Sequence, residues 1–418
     1  MIKQKISYWL SLILPGLFLL GFNIGTGSVT AMAKAGAEHG MSLLWTIVAS
    51  CLCTFFMINL YGKYTVVTGE TALQAFKKHI HPGVAIFFIV ALTTGVCGSV
   101  MGVMGIVADV SYEWSKQFIT NGIAPIYFAM FYVSLVYFIF WQGQKAFVER
   151  SLAVIVAIMA GAFVLNFFIL TPPALDIFSG LVPNLSVLAQ NTAQPTHIII
   201  AAMVGTTVFS GLFIIRTTLV KAAGWQVADL KKQRNDAAFS VFLMFIISAA
   251  IMASTAGTLY VSGISLEKSS QMMALLEPLA GAFAASIFAI GIIAAGVSSQ
   301  LPNVLMLPWL LNDYAATPKP MTLTRYRIVV FLISLLGLVV PIFEARPLFV
   351  MVLSQTFNAF ILPATVLCIF YLSNKTALMG QYKNTLVSNV ILSLILVFSL
   401  FTSWLSVEGL FITLGISD

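Results

Sequence analysis

Charge is the scarcest ingredient of this sequence: of 418 residues only 8% are Asp, Glu, Lys or Arg, where ordinary soluble domains carry about 25%. A water-exposed surface cannot be built from so few charges. Cysteine is scarce as well, and Cys51, Cys53, Cys97 and Cys368 all fall inside apolar stretches. Cys51 and Cys53, at i and i+2, point to different faces of a helix and make a poor metal clamp, so all four read as packing thiols rather than a disulfide framework. Nucleotide-binding loops, zinc-protease helices and nucleophile elbows are absent. Neither an enzyme nor a nucleotide-driven pump is therefore expected, and no cofactor. The fourteen acidic residues avoid the middle of every apolar run; Asp109 and Glu277 come nearest, each towards an end.

What the chain has in abundance is hydrophobic length. Sixty per cent of it is apolar, in recurrent runs that reach the roughly 20 residues needed to cross a hydrocarbon layer about 30 Å thick. Backbone polar groups cannot stay unpaired in lipid, so these runs are helices. The first, Tyr8 to Ile24, precedes a small-residue Ala31-Met32-Ala33 that mimics a signal-peptide cleavage site. Its apolar core is too long for a leader, and it is retained as a span.

The sequence predicts an all-α polytopic membrane protein with about eleven spans. In residue numbers these fall at about 8–37, 42–66, 83–112, 123–141, 147–170, 196–222, 237–262, 272–311, 326–343, 348–373 and 385–414. With the N-terminus in the cytoplasm and the C-terminus outside, seventeen of the 21 Lys and Arg residues face the cytoplasm. Only Lys34, Lys116, Lys268 and Arg346 remain outside. That is the positive-inside asymmetry, so the formal charge of +7 reports orientation in a cell (inner) membrane rather than a nucleic-acid partner.

Two spans contain residues that a membrane helix avoids unless its backbone opens. Span 1 reads Asn23-Ile24-Gly25-Thr26-Gly27-Ser28, and span 6 reads Gly205-Thr206-Thr207-Val208-Phe209-Ser210-Gly211. Broken helices at corresponding places in two halves point to a transporter's central site, where unwound carbonyls and half-helix ends meet a solute. The second break lies five spans after the first, as an inverted repeat of spans 1–5 and 6–10 requires. The chain then reads as one transporter domain, its first repeat about 8–170, its second about 196–373, with an extra helix at about 385–414. Thr171–Pro195, without Lys or Arg, is the external crossover. The bland alternative is that the glycines only let helices pack closely.

Leu14-Pro15-Gly16 before the first break, then Gly36, Gly40, Leu43 and Leu44, resemble the NRAMP (natural resistance-associated macrophage protein) divalent-metal transporters. So do Val66-Val67-Thr68-Gly69, the Gly291–Ser299 run of span 8, and Val352-Leu353-Ser354-Gln355 with Leu362-Pro363 in span 10. The resemblance implies the leucine-transporter-type fold, with spans 1 and 6 unwound about the site. It also exposes departures. Metal-transporting members carry Asp-Pro-Gly-Asn at the first break, where this chain has Gly25-Thr26-Gly27-Ser28. They carry Met-Pro-His-Asn at the second, where it has Phe209-Ser210-Gly211-Leu212. The family's Asp, Asn and Met ligands are thus missing, and the metal ligands stay unknown. A second family histidine aligns with Arg216, and Leu92–Ser99 of span 3 has no carboxylate for a proton route. Gln355 alone matches a family site residue.

The expectation is an NRAMP-like secondary transporter working by alternating access on a small solute. The family implies a metal cation, and the lost ligands favour a hard, partly hydrated ion such as magnesium over soft-ligated manganese or iron. The alternative is a small organic solute bearing a carboxylate, such as an amino acid, held by exposed N–H groups at the glycine-rich break, or a relative that has lost transport. Expected substrate contacts are Gly25, Thr26, Gly27, Ser28, Thr207, Phe209, Ser210, Gly211 and Gln355, with Asn23, Thr30, Arg216 and Asn358 along the path. Arg216 either snorkels to the cytoplasmic surface or repels cations from within. His79 and His81 read as solvated, His39 and His197 as interfacial. Partners are the solute and the lipid bilayer, and oligomeric state is left open.

Overall fold

A computed structural model of the chain describes residues 25–142, 145–170, 173–189, 195–273, 275, 283–315 and 319–414. The expected first half of span 1, with Asn23, lies outside these residues, as do positions 274 and 276–282 of span 8, including Glu277. All regular structure in the described residues is helical. In chain order the first helices are α1 (Thr26–His39), α2 (Leu44–Thr68), α3 (Ala72–His79), α4 (Pro82–Ser115), α5 (Pro125–Gln142) and α6 (Lys145–Leu170). The crossover helix α7 (Ala174–Gly180) leads to α8 (Thr196–Thr207), α9 (Ser210–Ala222), α10 (Leu230–Thr255) and the short α11 (Ser269–Met273). Then come α12 (Ala284–Ala315), α13 (Thr324–Leu335), α14 (Val339–Ile342), α15 (Pro347–Asn374), α16 (Thr376–Met379) and α17 (Leu386–Thr413).

Among the described residues nine helical segments are long and apolar enough to cross a membrane. The α6 helix, 26 residues, and α1, the described half of span 1, account for the other two expected spans. Burial sorts them by position: the α8–α9 segment is 100% buried across its apolar window, whereas α5 and α17 are 33% buried and turn most of their surface outward. At the centre, α15 packs along α4, α8 and α17, and α1 lies against α8 and α10.

Two elements and one histidine differ from what the sequence led us to expect. The helix of span 7 starts at Leu230 rather than 237, because the Gln226–Asp229 capping box nucleates it. Hydropathy ends where charge begins, but helical hydrogen bonding continues through Gln233 and Asp236, both buried. The loop after span 2 folds into α3, whose Leu73 and Phe76 are fully buried while Lys77 and Lys78 face out. His79, expected in solvent, instead contacts Glu70 Oε2 at 2.7 Å; Lys78 Nζ holds Oε1 at 2.6 Å. His39 and His197 sit at helix ends and are buried within the protein, with His39 Nε2 3.3 Å from Thr196 Oγ1.

Glycine sets the closest approach. A Cβ on Gly205 of α8 would stand 1.9 Å from the Gln355 carbonyl oxygen of α15, so these backbones touch only because no side chain intervenes. Gly205→Ala is expected to destabilise the bundle by about 1–3 kcal/mol, the usual cost of overpacking. Gly161→Ala, whose methyl meets nothing within 4 Å inside α6, should be neutral or stabilise by up to about 1 kcal/mol, and thermal melting in detergent compares the two. Glu70 supplies a pH test. Burial raises its carboxyl, but hydrogen bonds from Lys78 and His79 prevail and hold it below its ordinary 4.5. A depressed carboxyl contributes stability above the unfolded value and loses it as pH falls through the folded one. Glu70→Gln should therefore melt below the parent at neutral pH and converge with it in acid.

Candidate functional site

The polar residues that sequence reading put at two breaks are brought together at the middle of the bundle. In span 6 the helix stops at Thr207. Val208 (φ −102°, ψ 54°) and Phe209 (φ −75°, ψ 117°) are non-helical, and α9 restarts at Ser210. In span 1, Gly25 is extended (φ −101°, ψ −172°) and α1 begins at Thr26. Each helix end leaves backbone groups without intrahelical partners, amides at the starts of α1 and α9 and carbonyls at the end of α8. The two breaks touch, with Ser28 Oγ 3.1 Å from Thr206 Oγ1.

Between them is a cavity of about 40 Å³ lined by Gly25, Gly27, Ser28, Ser99, Val103, Thr206, Phe209, Ser299, Asn303, Met351, Gln355 and Asn358. A chain of hydrogen bonds fixes one wall. Asn358 Nδ2 donates to Gln355 Oε1 (3.3 Å) and Gln355 Nε2 to Ser99 Oγ (3.3 Å). Ser99 Oγ lies 2.8 Å from Ser354 Oγ, which donates to the Gly95 carbonyl. Asn358 Oδ1 is buried without a partner. Glycine again makes the space: a Cβ on Gly27 would meet Met351 Cε at 2.5 Å and Gln355 Nε2 at 3.0 Å, and one on Gly25 would meet Ser299 Cβ at 2.9 Å.

Not every expected contact faces this cavity. Thr207 donates back to the Met203 carbonyl (2.8 Å), and its own carbonyl accepts from Thr54 Oγ1 (2.8 Å). Ser210 Oγ accepts from Thr365 Oγ1 at 2.7 Å. Both therefore brace the break from behind. Gly211 lies under the Phe209 ring, 2.5 Å from an added Cβ to Cζ. Thr26 is buried with its hydroxyl unpartnered. Thr30, likewise unpartnered, faces a second cavity of about 410 Å³ that also contains Lys34, Glu267 and Arg346. Asn23 lies outside the described residues.

Sequence reading did not select Ser99, Ser299, Asn303 or Met351. Asn303 follows Pro302 inside α12, a polar side chain beside a helix-interior proline. Met351 stands one turn before Gln355 on the same face. Both were available signals. Electrostatically the site is neutral, with hydroxyl and amide oxygens and one thioether but no carboxylate. Among the described residues no group of three or more His, Cys, Asp or Glu side chains could hold a metal ion.

A family model described as natural resistance-associated macrophage protein-like matches residues 16–407. The divalent metal cation transporter MntH of Staphylococcus saprophyticus is 22% identical over 429 aligned positions, covering 97% of this chain and 93% of the relative. MntH of Erwinia tasmaniensis is 22% identical over 373 positions, covering 87% and 85%. Among solved structures, the Eremococcus coleocola manganese transporter in complex with an aromatic bis-isothiourea substituted compound superposes with a TM-score of 0.74 at 17% identity. That superposition covers 96% of this chain and 87% of the other, and it shows the shared leucine-transporter-type fold.

Arg216 lies one helical stretch below the break and does not reach the surface. It is fully buried, and its Nη1 donates to Asp236 Oδ2 at 2.7 Å while Nη2 reaches the Gln233 carbonyl at 3.4 Å. Snorkelling fails because the lengthened α10 brings a carboxylate to it first. The same pairing neutralises the charge that was expected to repel cations. Removing one member of such a pair strands the other, at a cost of about 3–5 kcal/mol, whereas replacing both with apolar residues is often neutral. Arg216→Leu is thus expected to melt far below the parent, and Arg216→Leu with Asp236→Leu to recover most of the loss.

Proposed function

This chain belongs to the natural resistance-associated macrophage protein-like family, and from that premise we propose that it is a secondary transporter of a small metal cation. The ion rests between the breaks of spans 1 and 6 and is exposed to either side in turn by alternating access. The named relatives are divalent metal cation transporters, and the cargo is placed in the same broad class here.

The observation that carries this reading is the size and chemistry of the central cavity. At about 40 Å³ it has room for about three waters at 10–15 Å³ each, or for one ion keeping part of its shell. Organic solutes usually occupy pockets of about 300–1,000 Å³, which weighs against an amino acid in this conformation. A complete shell of six waters needs roughly 60–90 Å³ by the same measure, so the ion sheds some of them.

The oxygen-rich neutral lining suits a hard cation such as magnesium, which retains waters and takes carbonyl and hydroxyl oxygens. Manganese or iron gains less from it, because the carboxylate that would offset a bare divalent charge is missing. Met351 is the one soft group on the wall. Its methyl sits against Gly27, so it fills space in this conformation rather than presenting its sulfur. Gln355 and Asn358 supply the amide oxygens, Ser28 and Thr206 the hydroxyls that part when the two breaks separate.

Proteoliposome uptake of magnesium, manganese and amino acids decides between the readings. Magnesium uptake is expected, reduced at least tenfold by Gln355→Ala, with manganese weaker. Strong manganese uptake abolished by Gln355→Ala would sink the hard-ion assignment, and amino-acid uptake lost in Gly27→Val would sink the cation reading altogether. Restoring the family's acid has a further requirement. Gly25→Asp alone runs into Ser299, so manganese uptake should rise only when it is combined with Ser299→Gly.

A further inference from the structure

We propose that the groove between α5 and α13 is a binding site for one anionic phospholipid, with an acyl chain laid along the groove and the phosphate held by Arg327. The groove encloses about 740 Å³, and its walls come from Phe131, Phe138 and Trp141 of α5 and from Phe331 and Leu335 of α13. Half or more of each of these α5 residues is open: Phe131 is 59% exposed, Phe138 56% and Trp141 50%. Tyr137 meets Phe331 edge-on at 5.3 Å and closes the floor. The apolar concavity therefore opens on the surface that α5 turns away from the bundle.

Its length selects the occupant. Met130 and Trp141 bound the groove along α5, and eleven residue steps at about 1.5 Å each span roughly 16 Å. That is about half of a 30 Å hydrocarbon layer, the depth of a single leaflet. A lipid tail entering from one face fills it without crossing the midplane.

Charge selects the headgroup. The groove ends at Trp141, and Arg327 stacks over that indole with its Cζ 3.8 Å from the ring centroid. Among the described residues Arg327 has no carboxylate partner, unlike Arg216 with Asp236. Lys319 and Arg325 lie at the same end of the fold, the first before α13 and the second within its first turn. The positive-inside count puts this end at the cytoplasmic face, where a guanidinium on an aromatic platform at the water boundary is suited to a phosphate. A zwitterionic lipid would fill the groove but gain less from Arg327.

The test uses the full chain, purified and delipidated, with phosphatidylglycerol or phosphatidylcholine of identical tails added and bound lipid counted by native mass spectrometry. Phosphatidylglycerol should bind about fivefold more tightly, the attraction one basic residue has for an anionic headgroup. Arg327→Gln should remove that preference and Arg327→Lys retain much of it. Ser134→Trp, which fills the groove, should weaken both lipids, with thermal melting confirming that each variant is folded. A preference that survives in Arg327→Gln overturns the headgroup assignment. Unchanged lipid binding in Ser134→Trp, or chain dimers lost in that variant, overturns the groove as a lipid site.

Discussion

A polypeptide in hydrocarbon has to satisfy its own backbone hydrogen bonds, and the centre of this bundle is organised by the two places where helical geometry stops doing so. The break at Val208–Phe209 leaves amides and carbonyls that lipid cannot serve. Hydroxyls from neighbouring helices take over part of the task. Thr54 donates to the Thr207 carbonyl, and Thr365 and Ser210 pair behind the restart of α9. Tyr61 then donates to the Thr365 carbonyl at 2.9 Å, tying α2 to the same region. An opening that would be costly in lipid becomes a polar site because five helices converge on it.

Convergence in turn depends on missing side chains. Gly205 admits the Gln355 backbone, and Gly27 admits the ends of Met351 and Gln355. The cavity that remains is small because the packing around it is close. A small neutral cavity separates candidate cargoes by dehydration cost, since no fixed charge offsets it.

Two buried ion pairs lie outside this site. Lys34 and Glu38 form an i,i+4 pair at 2.8 Å, and Lys34 also donates to the Leu266 carbonyl at 2.7 Å, tying α1 to the segment before α11. Arg216 and Asp236 do the same for α9 and α10. These contacts join the half-helices of the breaks to their surroundings. They hold the ends while the middle stays uncharged.

The helical character of the described spans, the place of the break in span 6 and the poverty of the site in carboxylates were legible in the sequence, because they follow from hydropathy, residue type and local backbone preference. The same holds for Gln355 and Ser28, polar residues in otherwise apolar spans. Distant partners were not legible. Whether Thr207 faces the cavity or turns back to Met203, whether Arg216 meets water or Asp236, and whether Met351 reaches Gly27 depend on how helices rotate and approach one another. Side-chain direction on a helix is known from spacing only relative to that helix. The neighbour that satisfies each polar group is chosen by packing across hundreds of residues of chain. The sequence alone pointed to membrane-crossing helices with polar, glycine-rich interruptions; tertiary structure decided which atoms those interruptions face, because a buried polar group takes the partner that packing brings within hydrogen-bond reach.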